Sequence, residues 1–292
     1  MTSSPRPPRA AIRPVSDIDV PAVAAFLHHD LNTRVPAAAW AALLDPPWAS
    51  AGPNKGFALV SDEEIVGVYA AVYSVRDYGR QQQAFCNLAA FCVREEFRAQ
   101  SFQLMRALLA QKGLVFTDFS PSGNVPALND RLGFVRLDNS TRLVVNAPWF
   151  ARGSARLTDD HSEIGRALQG ADATVFADHR YAPAAHHLLV QDGPRYAYLV
   201  FRRDRRKRLR IFATPLYVGG DRALLRSAWP RVMRHLARRG LVFTLAEHRL
   251  LGFVPAGIGA ALRNPRPKMF KGADVDAAAL DYLYSELALL EW

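Results

Sequence analysis

Apolar residues recur at Val20, Val23, Ala24, Leu27 and Leu31, a spacing of three and four that puts them on one helix face. Asp19 stands where an N-cap belongs. Pro36 opens a second short helix, which ends at Asp45-Pro46-Pro47-Trp48. The period then shortens to that of strands. Residues 56–61 and 65–75 flank the polar Asp62-Glu63-Glu64 and read as a hairpin, with 83–93 as a third strand. Polar residues 94–98 lead into an amphipathic helix over 101–111. Gly113 stops it, and 114–120 has the continuous apolar character of a buried strand. A turn at 121–124 and a short helix lead to Leu132-Gly133-Phe134, and 142–146 is a further strand.

The second half opens with polar residues 152–162 and a helix near 163–168, and 172–187 carries no decisive period. Residues 195–201 and 209–218 form a predicted hairpin whose tip, 202–208, is nearly all cationic. Asp221 caps a helix that runs to Arg239, Gly240 stops it, and 241–245 is a strand. A basic loop at 265–271 precedes an apolar segment, 275–292, expected to begin as a helix. Residues 1–11 are rich in Pro, Ser and Arg and read as a disordered tail.

The chain repeats itself. Gly-Leu-Val-Phe-Thr at 113–117 recurs at 240–244, an offset of 127, each time after a helix carrying Met-Arg (Met105-Arg106 and Met233-Arg234). Leu132-Gly133-Phe134-Val135 recurs as Leu251-Gly252-Phe253-Val254, in the same order. This predicts two copies of one fold, 12–150 and 151–292. A chain of 292 residues has room for two domains, each large enough to bury a core.

Charge separates the halves. Residues 1–150 hold 14 Lys/Arg against 13 Asp/Glu, whereas 151–292 hold 23 against 14. The net charge of +10 therefore lies almost wholly in the second half, and the cluster from Arg202 to Arg210 suggests an anionic partner there. Cys86 and Cys92, placed on one strand, would be about 20 Å apart, too far for a disulfide. Two free thiols suit a reducing compartment, so a cytoplasmic location is expected. The first residues lack the apolar core of a signal peptide, and no apolar run reaches the length of a membrane span.

The order strand, two helices, three antiparallel strands, helix, strand, helix, strand resembles the Gcn5-related N-acetyltransferase (GNAT) fold. Three stretches carry the resemblance. Ile12-Arg13-Pro14-Val15 with Asp17 and Asp19 looks like the family's opening strand and first helix. Val93-Arg94-Glu95-Glu96-Phe97-Arg98-Ala99-Gln100-Ser101-Phe102-Gln103 is similar to its acyl-CoA signature, with Ser101 and Gln103 where the two glycines stand. Asn124, Ala127 and Leu132-Gly133-Phe134 resemble its second signature. The likeness covers about 12–146, with a weaker echo in 155–292. It implies an α+β protein of two tandem GNAT-like domains, each a mixed, mostly antiparallel sheet flanked by helices.

It also implies acetyl-CoA or another acyl-CoA as donor. A helix N-terminus offers unpaired N–H groups to the pyrophosphate, and the free edge of a splayed strand takes the pantetheine. The implied donor-binding residues are Phe91, Cys92, Val93, Arg98, Ala99, Gln100, Ser101, Phe102, Gln103 and Asn124. The acceptor is an amine or hydroxyl of a small molecule or saccharide, by analogy with acyltransferases of exopolysaccharide assembly. The family's usual acid, a Tyr three residues before Leu-Gly-Phe, is Asn129 here. Tyr69, Tyr73, Tyr78 and Asp118 are candidate acids or bases, with none assigned a role. Trp40 and Trp48 are placed to shape the acceptor side.

Other chemistry finds less support. The pairs His28-His29 and His186-His187 lack a third ligand in register, so no metal is expected. Nucleic acid is a lesser alternative, because the cationic tip has no interleaved aromatics. The competing class is a non-catalytic GNAT-like protein that senses CoA or docks an anionic partner.

Overall fold

The structure, a computed structural model, describes residues 9–48, 52–78, 81–147, 153–206, 209–273 and 275–291. Residues 1–8 of the predicted tail lie outside the described residues, as do Trp149 and Trp292.

The first stretch contains β1 (Ala11–Pro14), α1 (Val20–Phe26), α2 (Ala37–Leu44), β2 (Gly56–Ser61), β3 (Glu64–Tyr78), β4 (Gln81–Val93), α3 (Ser101–Leu109) and β5 (Leu114–Asp118). It continues through α4 (Val125–Arg131), β6 (Val135–Arg136) and β7 (Thr141–Val145). The second stretch contains β8 (Arg156–Thr158), α5 (His161–Ala167), α6 (Gly170–His179), β9 (His186–Asp192), β10 (Arg195–Arg206) and β11 (Leu209–Gly220). Then follow α7 (Arg222–Arg238), β12 (Phe243–Glu247), α8 (His248–Leu251), β13 (Gly259–Ala261), β14 (Met269–Lys271) and α9 (Glu286–Leu289).

The strands form two seven-stranded sheets, β1-β2-β3-β4-β5-β14-β6 and β13-β7-β12-β11-β10-β9-β8. Read from β1 and from β8, the two follow one plan. Four antiparallel strands are followed by one parallel pairing, β4 with β5 and β11 with β12. A strand from elsewhere in sequence then takes the sixth place, and a short edge strand the seventh. The sixth strand is β14 in the first sheet and β7 in the second. The strand predicted at 142–146 thus forms, but its partners are β12 and β13. One compact unit runs to Phe119 and adds Phe270–Ala273 and Tyr284–Glu286; the other begins at Ser120 and takes the remaining C-terminal residues.

The repeat has a structural counterpart in detail. Gly113 and Gly240 follow α3 and α7 with φ of +76° and +78°, a left-handed turn that a residue with a Cβ adopts only under strain. The register shifts in β4, where Ala71 faces Leu88 and Ala70 faces Ala90, leaving Ala89 as a bulge. It shifts equally in β11, where Phe201 faces Pro215 and Val200 faces Tyr217, leaving Leu216. Ala89 and Leu216 are again 127 apart.

Alternation of side chains explains the cores. In the second unit Leu188, Val190, Leu199 and Phe201 of the sheet pack against Leu225, Trp229, Val232 and Leu236 of α7. In the first, α3 buries Leu104, Met105 and Leu108, and α2 buries Trp40, Leu43 and Leu44.

Two local expectations are corrected. Asp19 does not cap α1: its carboxylate turns back to accept from Ser16 N and Oγ at 2.9 and 2.7 Å and pairs with Arg13 at 2.8 Å. Pro at the start of α1 already removes one of the N–H groups a cap would satisfy. The segment from 275 does not begin as an α-helix. It has a single 3₁₀ turn at Ala277–Ala279, then irregular backbone with Tyr284 at φ +56°, and only then α9. Its backbone is drawn instead toward the second sheet, where Tyr282 N donates to Leu216 O at 3.0 Å.

Candidate active site

The first sheet contains a fork. β4 and β5 pair in parallel from Ala84 and Leu114 to Asn87 and Thr117 and no further. β4 continues to Val93 along β3 alone, so residues 88–93 present one backbone edge with no strand partner among those described. The bulge at Ala89 lies two residues beyond the last rung. A bulge leaves its extra residue out of the ladder, which makes a backbone N–H there available to an oxygen in the fork.

Phe91, Cys92 and Val93 are half-buried on this edge, and the Phe91 ring lies tilted against Tyr69 with centroids 4.6 Å apart. A 3₁₀ turn, Glu95–Gln100, connects β4 to α3, and no side chain caps the α3 N-terminus. Ser101, the first residue of α3, is half-buried. Arg98 and Ala99 are exposed, Arg98 pairing with Glu95 at 2.8 Å. Phe102 and Gln103 are also exposed, so the Gln103 side chain stands in solvent. The Gln100 side chain is engaged, accepting from Ala10 N at 3.0 Å. Asn124 is the exposed residue preceding α4, and its side chain makes no cap bond there. The structure thus gathers 91–93 and 98–103 along one strand end and the helix start that follows it.

Asn87 and Glu286, which the sequence did not signal, lie at the vertex with Asp118 and Tyr69, which it did. Asn87 Oδ1 accepts from Thr117 Oγ1 at 3.1 Å, and Asn87 Nδ2 donates to the Glu286 carboxylate in a short hydrogen bond. Asn87, Thr117, Asp118 and Glu286 are all buried. Tyr69 lies in the same field. Burial holds its phenol well above the ordinary tyrosine value, and Asp118, Cys86 and Glu286 add to the effect. Burial likewise pushes up the Cys86 thiol. Both stay protonated at neutral pH. The cysteines are free, as a shared strand requires.

A cavity of about 400 Å³ lies against β3, lined by 15–17, 44–46, 52–55, Trp48 and 71–73. Ala71, Val72 and Tyr73 pair with Leu88, Asn87 and Cys86, so the cavity is one strand away from the vertex. Trp48 donates its indole N–H to Tyr73 O at 3.0 Å, and the Tyr73 hydroxyl donates to Asn54 Oδ1 at 2.9 Å. Lys55 Nζ donates to Leu44 O at 2.7 Å and pairs with Asp17 at 3.1 Å and Asp45 at 3.6 Å. One cation between two outward carboxylates leaves a net negative rim. Of the two predicted tryptophans, Trp48 lines this cavity and Trp40 is fully enclosed in the core. The side chain of Tyr78 lies outside the described residues.

The second sheet has the same fork, filled differently. β11 and β12 pair only at Phe212–Phe243 and Ala213–Thr244. Beyond them, Tyr282 gives its backbone N–H to the bulge residue Leu216 and its hydroxyl to Glu247 at the end of β12. Arg249 and Lys268 hold Glu247 from the other sides at 3.1 and 2.8 Å. The helix start is occupied too, because the Asp221 carboxylate accepts from Ala223 N and Leu224 N at 2.8 and 3.0 Å.

The cationic hairpin forms, with pairing through Arg206 and Leu209. Its composition needs one correction. Arg202 is 1% exposed, pairs with Asp204 at 2.9 Å and donates to Leu287 O and Leu290 O at 3.1 and 3.2 Å. It fastens the C-terminal segment rather than facing a partner. Arg210 pairs with Glu291 at 3.4 Å. The exposed cations of the tip are Arg203, Arg205 and Arg206, with Lys207 and Arg208 outside the described residues.

Of the two histidine pairs, one member, His187, is buried in the core. His187 shares a hydrogen bond with the Tyr198 hydroxyl at 2.6 Å and another with His179 O at 3.1 Å, and burial lowers its pKa to about 3. Among the described residues, no group of three His, Cys, Asp or Glu is placed to hold a metal. Nor is any described helix long and apolar enough to cross a membrane.

No protein-family model and no curated protein matches this sequence. Solved structures do share the fold. A GCN5-related N-acetyltransferase from Anabaena variabilis aligns over 90% of this chain and 72% of its own, with a TM-score of 0.59 at 11% identity. A fungal GCN5-related glucosamine N-acetyltransferase region aligns over 92% of this chain and 39% of the larger multi-domain chain, with a TM-score of 0.56 at 11% identity. The N-myristoyltransferase of Saccharomyces cerevisiae, solved with myristoyl-CoA, aligns over 100% of this chain and 88% of its own, with a TM-score of 0.51 at 8% identity. The fold is that of the Gcn5-related N-acetyltransferases, present twice.

Proposed function

We propose that this chain is an acyltransferase that moves an acetyl or longer acyl group from acyl-CoA to an amine or hydroxyl acceptor. The observation that carries the reading is the open fork of the first sheet, whose edge at residues 88–93 has no strand partner among the described residues and whose bulge lies at Ala89.

In this reading the pantetheine adds as a short strand to the free edge at Phe91, Cys92 and Val93. The pyrophosphate meets the start of α3, where the Ser101 hydroxyl donates to it, the Ser101 N–H being held by Arg98 O. Phe102, Gln103, Ala99 and Gln100 frame that contact, with Arg98 as a nearby cation. The thioester carbonyl is polarised by a backbone N–H of the bulge, which holds no charge before reaction and needs no reorganisation during it. The acceptor enters through the cavity beside Trp48 and Tyr73. Its negative rim of Asp17 and Asp45 favours an amine, and its aromatic wall suits a saccharide, so an amino sugar or polysaccharide precursor is the finer proposal.

The second fork supports a single donor site per chain. Tyr282 occupies the backbone edge, and Asp221 puts a carboxylate where a phosphate would sit. A non-catalytic CoA sensor is the second reading, favoured by Ser101 and Gln103 in place of the family's glycines.

Thermal unfolding with acetyl-CoA and with longer acyl-CoAs tests the proposal. A stabilisation that saturates is expected; no shift with any of them overturns it. Binding without thiol release, with any amine or hydroxyl offered, favours the sensor.

A further inference from the structure

We propose that Glu286 is the proton acceptor for acyl transfer at the first fork. This rests on the acyltransferase reading above and names the residue that reading lacks.

The argument begins with cost. A fully enclosed carboxylate loses its hydration and is retained only where it is held by hydrogen bonds or used. Glu286 is held by Asn87, and the place of that contact is informative. Asn87 forms, with Thr117, the last rung before β4 and β5 separate, and its side chain is fixed by Thr117 Oγ1. The carboxylate therefore stands at the vertex. Ala89 follows two residues later, about 7 Å along the strand. In this proposal an acyl group whose oxygen meets the bulge N–H lies between that N–H and the carboxylate that Asn87 holds.

The alternatives at the vertex are few. Tyr69 on β3 and Cys86 on β4 are protonated at neutral pH, since burial opposes their ionisation. Arg76 holds its guanidinium over the Phe85 and Tyr284 rings. Asp118, at the end of β5, is the rival carboxylate. Of the two carboxylates, Glu286 is the one that accepts from Asn87 Nδ2.

The chemistry balances with no further reagent. The amine nitrogen attacks the thioester carbonyl carbon, and a C–N bond forms. The ammonium proton passes to Glu286. The tetrahedral oxyanion collapses, the C–S bond breaks, and the thiolate takes the proton from Glu286. Thioester and amine become amide and thiol, and the carboxylate is restored.

The test uses the full chain, acetyl-CoA, and a panel of primary amines that includes glucosamine, with free thiol as the readout. Glu286→Gln keeps an oxygen for Asn87 and removes the basicity. The expected result is a kcat lower by about 10²–10⁴-fold, with the KM for acetyl-CoA within about twofold and the acid limb of the pH profile abolished. Glu286→Asp keeps the acid limb at reduced kcat, and it carries the test if the Gln variant does not fold. Unchanged kcat in both variants overturns the proposal. So does an acid limb that survives Glu286→Gln but is lost in Asp118→Asn. Failure of the wild-type chain to bind acetyl-CoA overturns the donor reading itself. Binding without thiol release from any amine overturns the role of Glu286 as the acceptor of an ammonium proton, and the same silence with hydroxyl acceptors overturns the transferase reading as well.

Discussion

The two forks share a plan and differ in what fills them. Both have one parallel rung region, a bulge at positions 127 apart and a helix beginning after the splayed strand. In the first copy the splayed edge is open and the helix start has no side-chain cap. In the second, Tyr282 spans the gap and Asp221 caps the helix. The lesson is that a duplicated site is retired most cheaply by internal satisfaction. Backbone groups that would take a ligand are given partners from the chain itself, and the fold keeps its geometry while losing the vacancy.

The sharpest way to break this comparison is at the bulges. Proline is tolerated at a bulge but has no N–H to offer. Ala89→Pro should lower the rate of thiol release from acetyl-CoA by about 10²–10³-fold, while Leu216→Pro leaves the rate of the folded protein within about twofold. Equal losses from both would show that the bulge acts through the fold alone. Calorimetric titration with acetyl-CoA should give one donor per chain; two would mean that the second fork opens.

Stability measurements sharpen the same contrast. Tyr282→Phe keeps the backbone bond to Leu216 but strips the buried Glu247 of its hydroxyl donor, and should cost about 1–3 kcal/mol by urea denaturation. Acid should act on the second copy first. His187 has its folded pKa lowered to about 3 from an ordinary 6.5, so the unfolded chain binds the proton more readily between those values. Stability present above pH 6.5 is therefore lost as the pH falls toward 3. His187→Gln should flatten the fall in Tm across that window, and an unaltered fall would exclude His187 as its source.

The smallest effect separates the helix starts. Asp221→Ala should cost about 1 kcal/mol, because two N–H groups lose their acceptor. Ser101→Ala, where no side-chain cap exists, should change stability by less than about 0.5 kcal/mol. It should still weaken acetyl-CoA binding by about fivefold, the worth of one hydrogen bond.

Much of this was legible in sequence where the signal was local. Gly113 and Gly240 ended their helices, Asp221 capped α7, and Asp62-Glu63 turned the β2–β3 hairpin with both residues at positive φ. The pentapeptide repeat marked two equivalent strands that turned out to border equivalent forks. What stayed hidden depended on distant pairing. β14 is three residues long, too short for a period, and its place beside β5 is set by tertiary packing. Arg202 sat in a run of cations that looks solvated, and only the carbonyls of Leu287 and Leu290 explain its burial. Glu286, in an apolar C-terminal stretch, had no motif around it. Its partner Asn87 is 199 residues earlier.

The sixth strand of the first sheet sets an order of events during synthesis. β14 leaves the ribosome about 150 residues after β5, beside which it lies. At about 5–20 residues per second, β5 waits about 8–30 seconds with one edge bare. For that interval the nascent first sheet offers a strand-shaped gap to any extended chain nearby. Slower translation before β14 should increase misassembly in the first copy.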